Sequence, residues 1–176
     1  MTIYFITGSK QKFLEAKAIL PDLVQLELDL TEIQETDPHL IIKSKLEEAQ
    51  KHKKGVFVVE DTGLYLDCLN GFPGPLIKWF LKTLGREGIA KVVKAMGNDQ
   101  AQAKCLVGFY DGTKTEFFEG IMNGRIVYPK GESTFGWDPI FLPEGHNKTF
   151  AEMTKEEKNK ISHRSKAFMK LRDYLN

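Results

Sequence analysis

The chain has only two cysteines, Cys68 and Cys105, with the spacing of neither a disulfide framework nor a zinc site. A fold stapled by disulfides or built around zinc is therefore excluded, and both residues read as reduced thiols of a cytoplasmic protein. Charge of one sign is not in surplus. Lysine and arginine number 25 against 24 aspartates and glutamates, a net charge of +1. No general basic face for nucleic acid follows from that balance, although a local one stays open. No apolar run approaches the length of a membrane span. The amino terminus, Met-Thr-Ile-Tyr-Phe-Ile-Thr-Gly, lacks a basic leader and a long apolar stretch, so a signal peptide is not expected. Repeats, linkers and low-complexity segments are missing too. What remains is an ordinary globular composition, 41% hydrophobic and 28% charged. Its 176 residues suit one domain, 1–176, able to bury a full core.

Apolar spacing lays out the elements. Ile3–Ile6 reads as a buried strand. Thr7-Gly8 turns the chain, and Ser9 caps a helix that starts at Lys10, carries Phe13, Ala16 and Leu20 on one stripe, and ends by Pro21. Val24–Leu28 reads as a second strand. Asp37-Pro38 opens a second helix with Ile42, Leu46 and Ala49 on one face and Gly55 as its stop. Val56–Val59 is fully apolar, as in a strand covered on both faces. After the turn residues of Gly71–Gly74, two short helices are expected, one carrying Ile77 to Leu84 and one Ile89 to Met96. Lys104–Tyr110 and Thr115–Phe118 flank Asp111-Gly112, a hairpin signal. Arg125–Tyr128 and Ile140–Leu142 are further strands, and a helix with Ile161, Phe168, Leu171 and Leu175 closes the chain. Early alternation with a late hairpin predicts an α/β fold on a mixed sheet.

Several clusters bear chemistry, each with a plainer reading beside it. Thr7–Lys12 is a strand, a glycine turn and a helix start, which presents free N–H groups and a positive dipole end to an anion. Its glycine spacing is not that of a Walker A loop, and an ordinary turn with surface lysines fits as well. Glu60-Asp61 follows the apolar strand where α/β sheets place ligands. Side chains alternate along a strand, so one of the two faces a site, where it can hold Mg²⁺ or take a proton from water. Glu32 offers another oxygen, and solvated carboxylates at a strand end are the alternative. Lys78-Trp79 sets a cation beside an indole. In Phe135-Gly136-Trp137-Asp138 the glycine lets two rings splay, so that one can stack on a base; the alternative is a hydrophobic turn under the sheet. Lys158 and Ser162-His163-Arg164 stand at a helix junction, with Ser162 as the cap. Arg164 occupies a first helical turn, where a cation opposes the dipole. His163 has no metal-binding partner at usable spacing.

Together these pieces resemble the inosine triphosphate pyrophosphatase family, across nearly the whole chain and in order. The motifs that carry it are Thr7-Gly8, Glu60-Asp61-Thr62-Gly63-Leu64, Gly71-Phe72-Pro73-Gly74-Pro75, Phe135-Gly136-Trp137-Asp138-Pro139, Thr149-Phe150-Ala151-Glu152-Met153, Glu157-Lys158-Asn159 and Ser162-His163-Arg164. The Ile77–Leu81 run is similar to the branch that includes the eukaryotic enzymes. Ser9 stands where the family usually has asparagine; it can cap the helix but lacks the amide's reach.

The resemblance implies an elongated, two-lobed α/β fold on a long twisted mixed sheet with helices on its faces and the active site in the cleft between lobes. It implies a homodimer, Mg²⁺ (with Mn²⁺ as a substitute), and hydrolysis of ITP, dITP or XTP to the monophosphate and pyrophosphate, with neither nucleic acid nor membrane as partner. Carried over by motif, Thr7, Gly8, Ser9, Lys10, Gln11 and Lys12 hold phosphates, while Glu32 and Asp61 face the metal. Asp61 orients or deprotonates water. Lys45 (with Lys43 as competitor), Thr62, Lys78 and Lys158 contact the nucleotide. Phe135, Gly136, Trp137, Asp138, His163 and Arg164 shape the base pocket, where donors near His163-Arg164 donate to the C6 oxygen that adenine lacks.

Overall fold

The computed structural model describes residues 2–133 and 135–176. Among them, seven strands share one sheet: β1 (Ile3–Ile6), β2 (Leu23–Leu26), β3 (Val56–Leu66), β4 (Pro73–Gly74), β5 (Gln100–Tyr110), β6 (Thr115–Ile126) and β7 (Phe141–Pro143). The helices are α1 (Lys10–Lys17), α2 (Pro38–His52), α3 (Ile77–Met96), α4 (Lys155–Ile161) and α5 (His163–Leu175). The strand order is β2-β1-β3-β5-β6-β7, and β4 also pairs with β3. β1 runs parallel to β2 and β3, whereas β4 is antiparallel to β3 and β7 to β6. The sheet is mixed and the class is α/β, as the element pattern predicted.

The chain packs into two compact units, and the divisions fall inside β3, β5 and β6. The first comprises Met1–Asp61, Cys105–Gly120 and His163–Asn176. Here β3 is apolar at every position from Val56 to Val59, and its pleat sorts them. Val56 and Val58 join Phe5, Ala16, Val107 and Phe168 in one cluster, so α1 and α5 cover that face. Phe57 and Val59 join Ile42, Leu46, Ala49 and Leu106 in another, so α2 covers the opposite face. Each fully buried Leu, Ile or Phe here contributes about 1.5–3 kcal/mol. Two glycines let the helices come close. A Cβ on Gly108 would lie 2.2 Å from Cγ2 of Ile42 on α2, and one on Gly120 would lie 2.0 Å from the carbonyl oxygen of His163, where α5 begins.

The second unit comprises Thr62–Lys104 and Ile121–Ser162. Its core is one cluster, to which α3 supplies Ile77, Ile89 and Val93, and in which Trp137, Phe141 and Phe150 pack together. Trp137 meets Phe141 edge-on at 5.4 Å between ring centres, and Phe141 lies 5.0 Å from Phe150.

Several elements depart from the sequence reading. β3 does not end at Val59 but continues to Leu66, because Leu64 and Leu66 are as fully buried as the run before them. The two short helices expected after Pro75, by contrast, are both present, as the two halves of α3 on either side of Gly85, whose φ of 66° and ψ of 176° no helix contains. α2 stops at His52, three residues short of Gly55. α4 was foreseen only as the near side of a helix junction at Lys158 to Ser162, with no start marked, although Thr154 and Glu157 form a complete capping box. Ser162 closes α4 with its backbone N–H on the Lys158 carbonyl and, in extended conformation, immediately precedes α5, the N-cap position expected for it.

Candidate active site

Glu60 and Asp61 are adjacent in the middle of β3, so the pleat sends them to opposite faces. Glu60 follows Val56 and Val58 toward α1 and α5, where it is 6% exposed. Lys12 Nζ lies 2.6 Å from Glu60 Oε1, and Arg164 Nε donates to Oε2 at 2.7 Å. Arg164 also donates from Nη1 to Glu15 Oε2 at 2.5 Å, and the Cys105 thiol donates to Glu60 Oε2 at 3.2 Å. Two cations and two carboxylates thus form one neutral network. Burial alone would raise the Glu60 pKa, but Arg164 and Lys12 together hold this carboxyl well below its usual range. Against the burial that opposes its charge, Arg164 is held protonated by Glu60 and Glu15. Such networks are costly to desolvate and costlier to break, since each partner removed leaves a bare charge inside the protein.

Asp61 follows Phe57 and Val59 toward α2. Lys45 Nζ, one turn from Ile41 and Ile42 on that helix, lies 3.5 Å from Asp61 Oδ1 and 2.6 Å from Glu32 Oε1, and it donates to the Glu60 carbonyl at 3.1 Å. Lys43 is exposed, so Lys45 is the lysine that stands at the carboxylates. Asp61 Oδ2 is buried without a hydrogen-bond partner. Burial pushes the Asp61 pKa up by more than Lys45 and Lys12 pull it down. For Lys45 burial works downward, but Asp61 and Glu32 outweigh it and the pKa is raised. The result is a carboxylate with one oxygen engaged, one oxygen idle, and a proton affinity above that of an ordinary aspartate. Glu32 and Asp61 are hard oxygen donors, the kind Mg²⁺ takes. Among the described residues no three His, Cys, Asp or Glu side chains form a group that holds a metal unaided.

The Thr7–Lys12 segment is built as a helix start. Ser9 Oγ accepts from Lys12 N at 3.3 Å as the N-cap, and Thr7 Oγ1 accepts from Ser9 N at 3.1 Å. A Cβ on Gly8 would meet nothing within 4 Å, so the space over the turn is open. Lys10 and Gln11 open α1 directly after it, with first-turn N–H groups that have no partner within the helix, and Lys10 itself is exposed. The remaining site residue of the first unit, His163, is 2% exposed at the head of α5.

In the second unit, Lys158 on α4 donates to Asp138 Oδ2 at 2.6 Å, with both side chains 6% exposed. The same ammonium sits 5.1 Å from the centre of the Phe135 ring and 5.4 Å from that of Phe150. Trp137 is 7% exposed and belongs to the core, whereas Phe135 is only partly buried and is the ring of this turn that keeps an accessible face. Thr62 is half-buried on β3, and Lys78 is exposed on α3 with its ammonium 5.6 Å from the Trp79 ring.

Glu15 and Cys105 escaped the sequence reading. Glu15 lies next to the apolar stripe of α1 and looks like a solvated helix residue. Its one signal is position, three residues after Lys12 and so on the same helix face. Cys105 is a lone thiol within an apolar strand and carries no signal at all.

Residues 3–174 match the Ham1 family. The inosine triphosphate pyrophosphatase of Schizosaccharomyces pombe is 43% identical over 99% of this chain and 95% of its own length. That of Emericella nidulans is 46% identical over 99% and 96%. Among solved structures, a HAM1 protein from Coxiella burnetii superposes with a TM-score of 0.85 at 24% identity, covering 99% of this chain and 98% of that one, a likeness of fold. With nearly every residue matched and the relatives aligned end to end, this chain belongs to the Ham1 family.

Proposed function

We propose that this protein hydrolyses deaminated purine nucleoside triphosphates, ITP, dITP and XTP, to the monophosphate and pyrophosphate, and so clears them from the nucleotide pool. The observation that carries the proposal is Asp61, a buried carboxylate with an idle oxygen and a raised pKa, on a chain 43–46% identical over 99% of its length to inosine triphosphate pyrophosphatases.

The substrate brings about four negative charges, which must be neutralised before a nucleophile can approach. The open turn at Gly8, with the N–H groups of Lys10 and Gln11 and the Lys10 and Lys12 ammoniums, receives phosphate oxygens. Lys45, already charged between Asp61 and Glu32, adds a third cation. Asp61 orients the attacking water through its idle oxygen and takes its proton; a pKa above the ordinary aspartate value makes it a better base. A divalent cation, Mg²⁺ or Mn²⁺, would be held by Asp61 and Glu32 together with phosphate oxygens, and would supply charge neutralisation and an acidified water. Phe135 offers its face to a base. Arg164, enclosed by Glu15 and Glu60, acts on base choice by fixing the start of α5 at His163. Lys78 and Thr62 complete the contacts carried over from the family. A cytoplasmic homodimer belongs to the same proposal, to be checked by light scattering and fractionation.

The test is a panel of ITP, XTP, dITP, ATP, GTP and modified pyrimidine triphosphates with Mg²⁺, read as pyrophosphate released. ITP or XTP turned over fastest is the expected outcome. Fastest turnover of a modified pyrimidine would make this a pyrophosphatase of other nucleotides, and salt-sensitive oligonucleotide binding without hydrolysis would make it a binding module.

A further inference from the structure

One contact of the second unit is used by nothing so far. Arg86, just past the Gly85 kink of α3, donates from Nε to the carbonyl oxygen of Gly136 at 2.8 Å across fifty residues of chain. Gly136 is the pivot of the Phe135–Asp138 turn, with a φ of 50°. Neither glycine is imposed by crowding, since a Cβ on Gly85 or on Gly136 would meet nothing within 4 Å. Their positive φ values therefore serve direction: one re-aims the chain of α3 at residue 86, the other turns a carbonyl toward it. The far side of the turn is held separately. Asp138 is clamped by Lys158 at 2.6 Å, and Asp138 N donates to the Phe135 carbonyl at 3.2 Å. Lys158 therefore fixes the buried end of the turn, and Arg86 fixes its outer, exposed shoulder. Arg86, Gly85, Pro129 and Gly136 border a groove of about 730 Å³, so the shoulder has room to move if the contact is lost.

We propose that Arg86 is a positioning residue for purine recognition, holding the Phe135-Gly136 shoulder so that the Phe135 ring keeps the orientation in which it meets the base. This rests on the reading of Phe135 as a base-facing ring, and it assigns to a solvent-edge arginine a share in substrate affinity. The donor is charged and the acceptor neutral, with both near water, so loss of the bond is worth about a 3- to 10-fold change in an equilibrium. The chemistry at Asp61 is unaffected by it.

The experiment compares Arg86→Ala and Arg86→Lys with the parent. With ITP and Mg²⁺, Arg86→Ala should raise KM by about 3- to 10-fold and leave kcat within about twofold. IMP, which keeps the base, should inhibit more weakly by the same factor. Inorganic tripolyphosphate, which has no base, should inhibit the variant and the parent equally. Arg86→Lys, which keeps a donor, should recover part of the KM loss. If tripolyphosphate inhibition weakens along with IMP, or the KM effect disappears at about 0.5 M salt, Arg86 acts as a general charge for phosphates and the proposal is overturned. Unchanged KM for ITP overturns it as well. A second readout is independent of substrate. In a Trp79→Phe background, Trp137 emission and its quenching by acrylamide report the turn directly. Arg86→Ala should shift both without lowering Tm by more than about 3 °C. A parent that does not hydrolyse ITP but shows the Trp137 shift would fault the functional reading and spare the positioning role; an unmoved Trp137 would fault the positioning role itself.

Discussion

In the first unit Arg164 is shared by Glu15 and Glu60, and Glu60 in turn by Lys12 and the Cys105 thiol. In the second, Lys158 and Asp138 meet as a pair beneath the faces of Phe135 and Phe150. Both arrangements bury charge almost completely, but they compensate it differently. A network spreads each charge over several partners, so no single substitution can be repaired by one other. A pair in an aromatic setting can be removed as a unit, because the rings that remain pack without it. The first arrangement links α1, β3 and α5 into one body; the second closes a single turn onto a single helix.

The most damaging way to test this contrast is Arg164→Met, which strands two carboxylates in the interior. It should cost about 3–5 kcal/mol in denaturant unfolding, and adding Glu60→Leu should recover little, because Glu15 and Lys12 stay unmatched. Lys158→Met should cost a similar or slightly smaller amount, about 3 kcal/mol, but there Asp138→Leu in the same chain should restore most of the loss. Equal recovery in the two units would break the comparison.

Asp61→Asn tests the other side of β3. Turnover of ITP should fall at least ~10²-fold, the low end for loss of a general base, while Tm stays within about 2 °C of the parent. Activity within a few-fold of the parent would remove Asp61 from its role. Chelation of Mg²⁺ should likewise stop turnover without lowering Tm, since Glu32 and Asp61 are held by Lys45 whether or not metal is bound.

A smaller and sharper effect is expected from pH. Glu60 has a folded pKa well below the usual glutamate value of 4.5, so its contribution to stability is present above that value and is lost as pH falls through the folded pKa. Asp61 has the opposite sign. Its folded pKa lies above 3.8, so the folded state holds that proton more tightly, and stability declines as pH rises from 3.8 through the folded pKa. Glu60→Gln should flatten the acid-side loss of stability, and Asp61→Asn should remove the opposing slope, both followed as Tm against pH. Finally, Lys45→Met should weaken ITP turnover far more than Lys43→Met, whose exposed side chain should matter by no more than about 0.5 kcal/mol.

Much of this was legible in the sequence. The apolar Val56–Val59 run announced a strand covered on both faces, and period-two alternation foretold that Glu60 and Asp61 part company. Ser9 as a cap and the Asp111-Gly112 hairpin followed from turn and cap chemistry alone. Illegible were the features that depend on residues far apart meeting. Arg164 reads as a cation opposing a helix dipole, carried over to the base pocket, until Glu15 and Glu60 arrive 149 and 104 residues away. Which of Phe135 and Trp137 stays accessible cannot be read from the turn itself, because it is Phe141 and Phe150 that enclose Trp137. The break at Gly85, by contrast, was legible: the apolar spacing of Ile77 to Leu84 and of Ile89 to Met96 reads as two helices, and non-helical Gly85 separates them. β3 was read too short because its polar middle, Glu60 to Gly63, looks like a strand end; the ladder continues because Leu64 and Leu66 bury beyond it.

The placement of Glu60 and Asp61 on consecutive pleats has a consequence for how this gene can vary. A substitution at either codon touches one face of the strand and can be answered by change on that face. An inserted or deleted residue between Val56 and Glu60 is a different event, because it moves both carboxylates by one step and exchanges their surroundings. The acid of the Arg164 network would then face Lys45, and the one that now faces Lys45 would be locked between arginine and lysine. Length in this short segment is therefore under tighter constraint than identity, and a library that varies its spacing should yield folded, active clones far more rarely than one that varies its residues.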